Sequence, residues 1–294
     1  MRKRILLFLL CSLFIARVSG QETLMLPHNA TSLTEEQKGM NPDRLAYPKS
    51  MKAKIEEEVS FECEPETGDL GPFSVSPTTK VMFSPGNLQY QASTNTWRFA
   101  EHQWDYIGAD NQNISDSYTG WIDLFCWGTG NNPTLISTKN GDFSSFTDWG
   151  VNAISNGGNE VNMWRTLTKD EWWYLLVERP NAEALNGFGN ANERYGFILL
   201  PDEWKLPAGL SFTGENDTYT SDEWSVMEAA GAVFLPASGY RYCDGSLYNV
   251  GSYGYFWSST PDGSEDAWYL YFDSGGVNMN NNNRCLGRSV RLVR

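Results

Sequence analysis

The residues with most chemistry to offer lie in the last fifth of the chain, between Gly239 and Arg294. From Trp268 to Phe272 apolar and polar side chains alternate strictly. Trp268, Leu270 and Phe272 therefore share one face of a strand, and Tyr269, Tyr271 and Asp273 share the other. Asp273-Ser274-Gly275-Gly276 reads as a turn, after which Val277 and Met279 face inward while Asn278 and Asn280 face outward. The pattern predicts a β-hairpin with an apolar back and a front of phenols, amides and carboxylates. Such a front suits binding better than catalysis. Tyr242, Tyr253, Tyr255, Tyr269 and Tyr271 would supply rigid contact area at low entropic cost. Asp244, Asp262, Asp266 and Asp273 would supply charge-assisted hydrogen bonds. Asn278, Asn280 and Asn282 would supply adaptable donors and acceptors, with Trp257, Trp268, Leu270 and Phe272 holding the surface rigid. Plainer readings compete: a half-exposed sheet with a solvated Tyr face, an Asn280–Asn283 run that merely tolerates left-handed backbone, and a solvated loop at Asp262, Glu265 and Asp266.

Catalytic constellations are scarce. The chain has two histidines, His28 and His102, and His28 sits in a polar N-terminal segment. A Ser-His-Asp or Cys-His device would have to use His102, and a multi-histidine metal centre is excluded. Cys63, Cys126, Cys243 and Cys285 are scattered and form no CxxC, so a structural zinc site has no support. Cys243 and Cys285 both lie in the C-terminal region, where a disulfide and two free thiols are both open readings. No cofactor or metal is implied, and the expected protein is not an enzyme.

Several kinds of segment would position these residues. Arg2, Lys3 and Arg4 precede an apolar run from Ile5 to Ala16, too short to span a bilayer, and Val18-Ser19-Gly20 suits cleavage; residues 1–20 read as a secretory signal. Cys11 follows Leu10, where a lipid-anchor cysteine would need a small residue. The chain carries a formal charge of −14; the leader holds four basic residues and no acid, so removing +4 leaves −18. That balance argues against nucleic acid and is otherwise a matter of solubility. Residues 21–71 are polar, Glu-rich and aperiodic, and read as a weakly ordered stalk, with a short helix conceivable near Pro48 to Glu58. From residue 72 to 294 the texture becomes that of a folded domain. Short strands are predicted at Lys80 to Phe83, Asn87 to Tyr90, Thr96 to Phe99, Ala232 to Leu235, Tyr255 to Ser259, Trp268 to Phe272, Val277 to Met279 and Ser289 to Val293. Gly108 to Gly158 reads as a long looped region pinned by Trp121, Phe125, Trp127 and Trp149. Thr168–Glu171 and Thr220–Glu223 have capping-box spacing, with Pro180 and Gly231 as stops, which predicts two helices with Trp172 and Trp224 on their buried faces. Two helices among short strands and long loops predict an α+β domain.

These residues carry a resemblance. Trp164-Arg165-Thr166-Leu167-Thr168 with Glu171-Trp172 resembles a helix start in the formylglycine-generating-enzyme-like branch of the C-type lectin fold. Phe256-Trp257-Ser258-Ser259-Thr260, Ala267-Trp268 and Gly287-Arg288-Ser289-Val290-Arg291 resemble the related paralogous domain named for Fibrobacter succinogenes. The resemblance implies a C-type-lectin-like domain over residues 72–294. Residues 239–294 further resemble the variable region of targets of diversity-generating retroelements from Bacteroidales. There an error-prone reverse transcriptase substitutes template adenines, so Asn codons become Tyr, Asp, Ser, Gly, Cys or Leu. By that resemblance Cys285 and Leu286 join the front-face positions as products of such changes. The enzyme branch's paired cysteines and the calcium triplets of sugar-binding lectins are not matched, so neither activity is carried over.

The expectation is an exported, cell-surface or periplasmic ligand-binding protein, adhesin-like or receptor-like, with no transmembrane segment. Its partner would be a protein or glycan on another cell or phage. Alternatives are an enzyme of the formylglycine-generating or a carbohydrate-active type, and a structural envelope or fimbrial-tip subunit.

Overall fold

The computed structural model describes residues 70–294. The expected leader, the short helix and the stalk up to residue 69, with His28 and Cys63, lie outside the described residues; the last two residues expected in the stalk, Leu70 and Gly71, instead begin a strand.

The fold differs from the α+β expectation. The described residues are mostly β, with fifteen short strands in five small sheets. Strands β1 (Leu70–Ser74), β2 (Lys80–Phe83), β5 (Arg165–Thr166) and β15 (Leu292–Val293) form one sheet in the order β1-β2-β15-β5. β3 (Leu88–Gln91) pairs with β4 (Thr96–Phe99). β6 (Asn186–Ala191), β7 (Arg194–Leu199), β8 (Asp217–Tyr219) and β9 (Val233–Pro236) align as β8-β6-β7-β9, where β6 and β8 run parallel. β10 (Tyr240–Arg241) pairs with β11 (Leu247–Tyr248), and β12 (Gly254–Asp262), β13 (Asp266–Asp273) and β14 (Gly276–Asn283) form a meander.

Both helix signals are real, but the helices are short. In α1 (Lys169–Trp173) and α2 (Ser221–Ala229) the Thr168/Glu171 and Thr220/Glu223 capping boxes form in both directions. α1 runs into a π-turn over Tyr174–Glu178 and stops at extended Arg179, because Pro180 disfavours helical backbone before it. Gly231, at φ +95°, ends α2. Two elements of five and nine residues cannot form a helical layer, and the expected C-type-lectin-like α+β architecture gives way to several small sheets. Trp172 and Trp224 are fully buried as expected, whereas neighbouring Trp173 faces outward.

The core has three parts. Phe73, Phe83, Trp172, Phe197, Leu235, Phe256, Leu270 and Phe272 share one cluster, and Trp224 and Met227 of α2 pack with Ile198 and Phe234 in another. The third gathers Trp97, Phe125, Trp127, Trp149, Trp257 and Tyr269. Phe125, Trp127 and Trp149 thus pin the loop-rich stretch, as their spacing suggested; Trp121 is only half-buried beneath the Arg98 guanidinium, 3.8 Å from its ring centroid.

Within that stretch Asp123 is fully buried. Its carboxylate accepts from Asn111 Nδ2 (2.7 Å) and the Ile107 N–H (2.9 Å). Burial outweighs these donors and pushes its pKa up to about 6. Because the folded pKa is raised, this group's contribution to stability is complete below its unfolded pKa near 4 and is lost as pH rises through about 6. Acidification from pH 7.5 to 5 should therefore favour the folded state through Asp123 by about 1–2 kcal/mol. Comparing urea unfolding of the wild type and Asp123→Asn at both pH values checks this. The variant should lack that increment; parallel pH dependence in the two proteins would contradict it.

Candidate functional site

The β13–β14 hairpin has the register that the alternation implied. Asp273 pairs with Gly276 across a two-residue Ser274-Gly275 turn, Tyr271 with Asn278, Tyr269 with Asn280 and Ala267 with Asn282. Tyr255 and Trp257 of β12 face Tyr271 and Tyr269. One face of the sheet is apolar, and Phe256, Leu270, Phe272 and Met279 are buried in its cluster. The other carries the Tyr and Asn side chains.

That second face is partly covered, which corrects the expected site. Segments from distant parts of the chain lie across it. Ser289 bridges to Phe256 in parallel beside β12, and Phe125 bridges to Arg288. Tyr255 and Tyr269 are consequently buried, as are Cys285 and Leu286, so these four are support and not contact surface. Cys285 is also joined to Cys243 in a disulfide, with Cα atoms 5.3 Å apart. Cys126 is the free cysteine among the described residues; it is buried, and its thiol donates to the Cys285 carbonyl at 3.0 Å.

A continuous tyrosine cluster results. Ring centroids step from Tyr242 to Tyr248 (6.2 Å), Tyr240 (5.5 Å) and Tyr255 (5.0 Å), then to Tyr271 (5.5 Å) and on to Tyr253 (6.0 Å). Tyr242 and Tyr248 at the outer end are 45% and 46% exposed, while Tyr240, Tyr253 and Tyr271 are half-buried. Tyr240 and Tyr248 were not singled out in the sequence, although they continue the same texture. The hairpin bearing them is short, and only the pairing of Tyr240 with Tyr248 reveals it.

Beneath the cluster sits Arg288, 1% exposed. Its guanidinium lies 3.2 Å from the Tyr269 ring centroid, 4.4 Å from Trp257 and 5.5 Å from Tyr255. Burial pushes its pKa down to about 10, with Tyr269 opposing the shift. The negative faces of three aromatic rings stand where a carboxylate would otherwise be needed. The cation orders the buried tyrosines and leaves the outer ones to the surface. Asn249 Nδ2 donates to the Tyr255 hydroxyl at 2.9 Å, and burial is the main reason that phenol's pKa rises to about 12.

The acids and amides divide by position. The Tyr271 hydroxyl donates to Asp273, whose carboxylate also accepts from the Gly275 N–H; these bonds hold the Asp273 pKa below its usual range. Asp244 stays exposed and organises its own turn by accepting from the Ser246 N–H. Asp262 accepts from Asn281 Nδ2 at 2.7 Å and is engaged within the fold, whereas Asp266 is half-buried and its buried Oδ1 has no hydrogen-bond partner. Asn278, Asn280 and Asn282 are exposed, and each Oδ1 accepts the N–H of the next residue at 2.8 Å. β14 is an edge strand, so this ladder satisfies N–H groups that would otherwise recruit another strand, while the amide nitrogens remain available outward.

His102 bonds to Asp105 at 3.1 Å and stacks on Trp104, and among the described residues no thiol or hydroxyl bonds to it. Also among the described residues, no grouping of His, Cys, Asp and Glu suits a metal ion, and no helix is long and apolar enough to cross a membrane.

A family described as a domain of unknown function (DUF8237) matches residues 210–293, which take in the whole tyrosine cluster, the disulfide and Arg288. No curated protein and no solved structure matches the chain.

Proposed function

We propose that this protein is an exported ligand-binding protein. Its contact surface is formed by Tyr240, Tyr242, Tyr248, Tyr253 and Tyr271 together with Asn278, Asn280, Asn282, Asp244 and Asp273. The single observation that carries the reading is the tyrosine cluster itself, exposed at one end and anchored beneath Tyr255 and Tyr269 on a buried arginine. Rings already packed against one another lose little freedom when a partner covers them. A partner is a protein or glycan surface on another cell or phage. Diversification of the outward positions follows as part of the same proposal. Side chains at Tyr242, Tyr248, Asn278, Asn280 and Asn282 can change without altering the clusters behind them.

The reading is tested by presenting the purified protein to arrays of cell-surface proteins and glycans, then comparing a Tyr242→Ala/Tyr248→Ala double variant on every ligand found. The double variant should bind roughly thirtyfold more weakly or worse, corresponding to about 2 kcal/mol at a central aromatic contact. Trp173→Ala, on another exposed surface, should leave binding unchanged. Equal binding by the double variant and the wild type would refute the assignment.

A further inference from the structure

A second surface feature lies away from the tyrosine cluster and shares no residue with it. The loop 130–134, the turn after β3 and residues Asp116 and Asn152 enclose an open cleft of about 430 Å³. Tyr90 and Trp97, with ring centroids 4.5 Å apart, border it but are buried, so the lining is chiefly polar. Side-chain amides and one carboxylate make up its walls.

The hydrogen bonds already made fix which groups face the cleft. The Tyr90 hydroxyl donates to Asn95 Oδ1 at 3.0 Å, which turns the Asn95 NH₂ group away from that contact. Asn95 is itself held in left-handed backbone, at φ +49°. Asn152 donates through Nδ2 to the carbonyls of Gly130 (2.7 Å) and Trp149 (3.0 Å), so its Oδ1 remains as an acceptor. Thr134 donates to one oxygen of Asp116, leaving the other. Among the described residues no side-chain group of Asn131 is engaged in a hydrogen bond. The cleft thus presents amide donors, a carboxylate acceptor and an amide acceptor, with Asn95, Asn152 and Asp116 held by the hydrogen bonds above and Asn131 free to adapt.

That inventory selects a ligand class. No Lys or Arg lines the cleft, so phosphate and carboxylate ligands would meet no counter-charge. Its polar walls do not suit a hydrophobic ligand. A hydroxyl-rich ring offers donors to Asp116 and Asn152 and acceptors to Asn95 and Asn131, with no charge to be neutralised. We infer that this cleft binds one residue of a neutral saccharide, independently of the tyrosine surface.

The test is a titration of the intact ¹⁵N-labelled protein with glucose, galactose, mannose, fucose and N-acetylglucosamine, each as the free sugar and as its methyl glycoside. At least one should move the Asn95 and Asn131 side-chain amide signals saturably. Equal binding of the methyl glycoside points to a terminal glycan residue, and binding of the free sugar alone to a free saccharide. Asp116→Asn, which preserves an acceptor for Thr134, should weaken binding at least roughly fivefold through loss of a charge-assisted bond. Asn131→Ala provides a second variant at an exposed position, and it too should weaken binding. Tyr242→Ala should leave the sugar titration unchanged. Failure of every sugar to move these signals, or undiminished binding in both cleft variants, would overturn the inference.

Discussion

Replacement of Trp257 by alanine is expected to cost about 4 kcal/mol of folding stability, the largest effect of any single substitution considered. The indole is 1% exposed, and its Nε1 donates to the Phe125 carbonyl at 2.8 Å. It meets Tyr269 edge to face, with centroids 5.9 Å apart, and forms one wall of the site holding the Arg288 guanidinium. Removing it opens a cavity, takes one of two donors from the buried Phe125 carbonyl, which keeps the Arg288 N–H at 2.9 Å, and deprives a buried cation of one of its compensating rings. In a domain of this size the thermal midpoint should fall by roughly 8–16 °C. Trp173→Ala, at a 40% exposed position, should change stability by no more than about 0.5 kcal/mol. Calorimetry of the two variants checks the contrast, and similar midpoints would mean that Trp257 is not the support described.

Loss of the Cys243–Cys285 disulfide should be almost as costly. The bond closes a loop with a sequence separation of 42 residues, and the chain-entropy argument gives about 4 kcal/mol for a loop of that length. It ties the hairpin bearing Tyr242 and Tyr248 to the segment that carries Arg288, so its loss should loosen the exposed end of the tyrosine cluster first. The measurement is urea unfolding of Cys243→Ala/Cys285→Ala beside the wild type, without and with reductant. The wild type should lose stability on reduction, whereas the double variant should be insensitive to it. A difference below about 1 kcal/mol between the oxidised wild type and the variant would contradict the expectation.

Local signals in the sequence are borne out where their determinants are local. The capping boxes at Thr168 and Thr220, the two-residue turn after Asp273 and the pairing of Tyr269 with Asn280 all follow from neighbouring residues. Burial of Tyr255 and Tyr269 was not legible, because the covering segments carry Phe125 and Arg288, far from them along the chain. Nor were the buried cations: Arg241, Arg284, Arg288 and Arg291 are all nearly inaccessible, whereas arginine ordinarily reads as a surface residue. The hairpin of β6 and β7 escaped notice because glycines at alternate positions look like a loop. Here they permit close approach, since a Cβ on Gly187 would lie 2.3 Å from the Gly214 Cα. The left-handed pair Asn192-Glu193 closes that hairpin. The α+β expectation failed because helix starts were legible while helix lengths, cut by Pro180 and Gly231, carried too little weight.

The central claim, a changeable contact surface on a fixed support, is tested most directly by deep sequencing of the codons for residues 239–294 across a natural population. The account predicts substitutions at template adenines, concentrated at Tyr242, Tyr248, Tyr253, Tyr271, Asn278, Asn280 and Asn282, with Trp257, Leu270, Phe272 and Arg288 invariant. Uniform sequence throughout, or variation spread evenly over both faces of the meander, would contradict it.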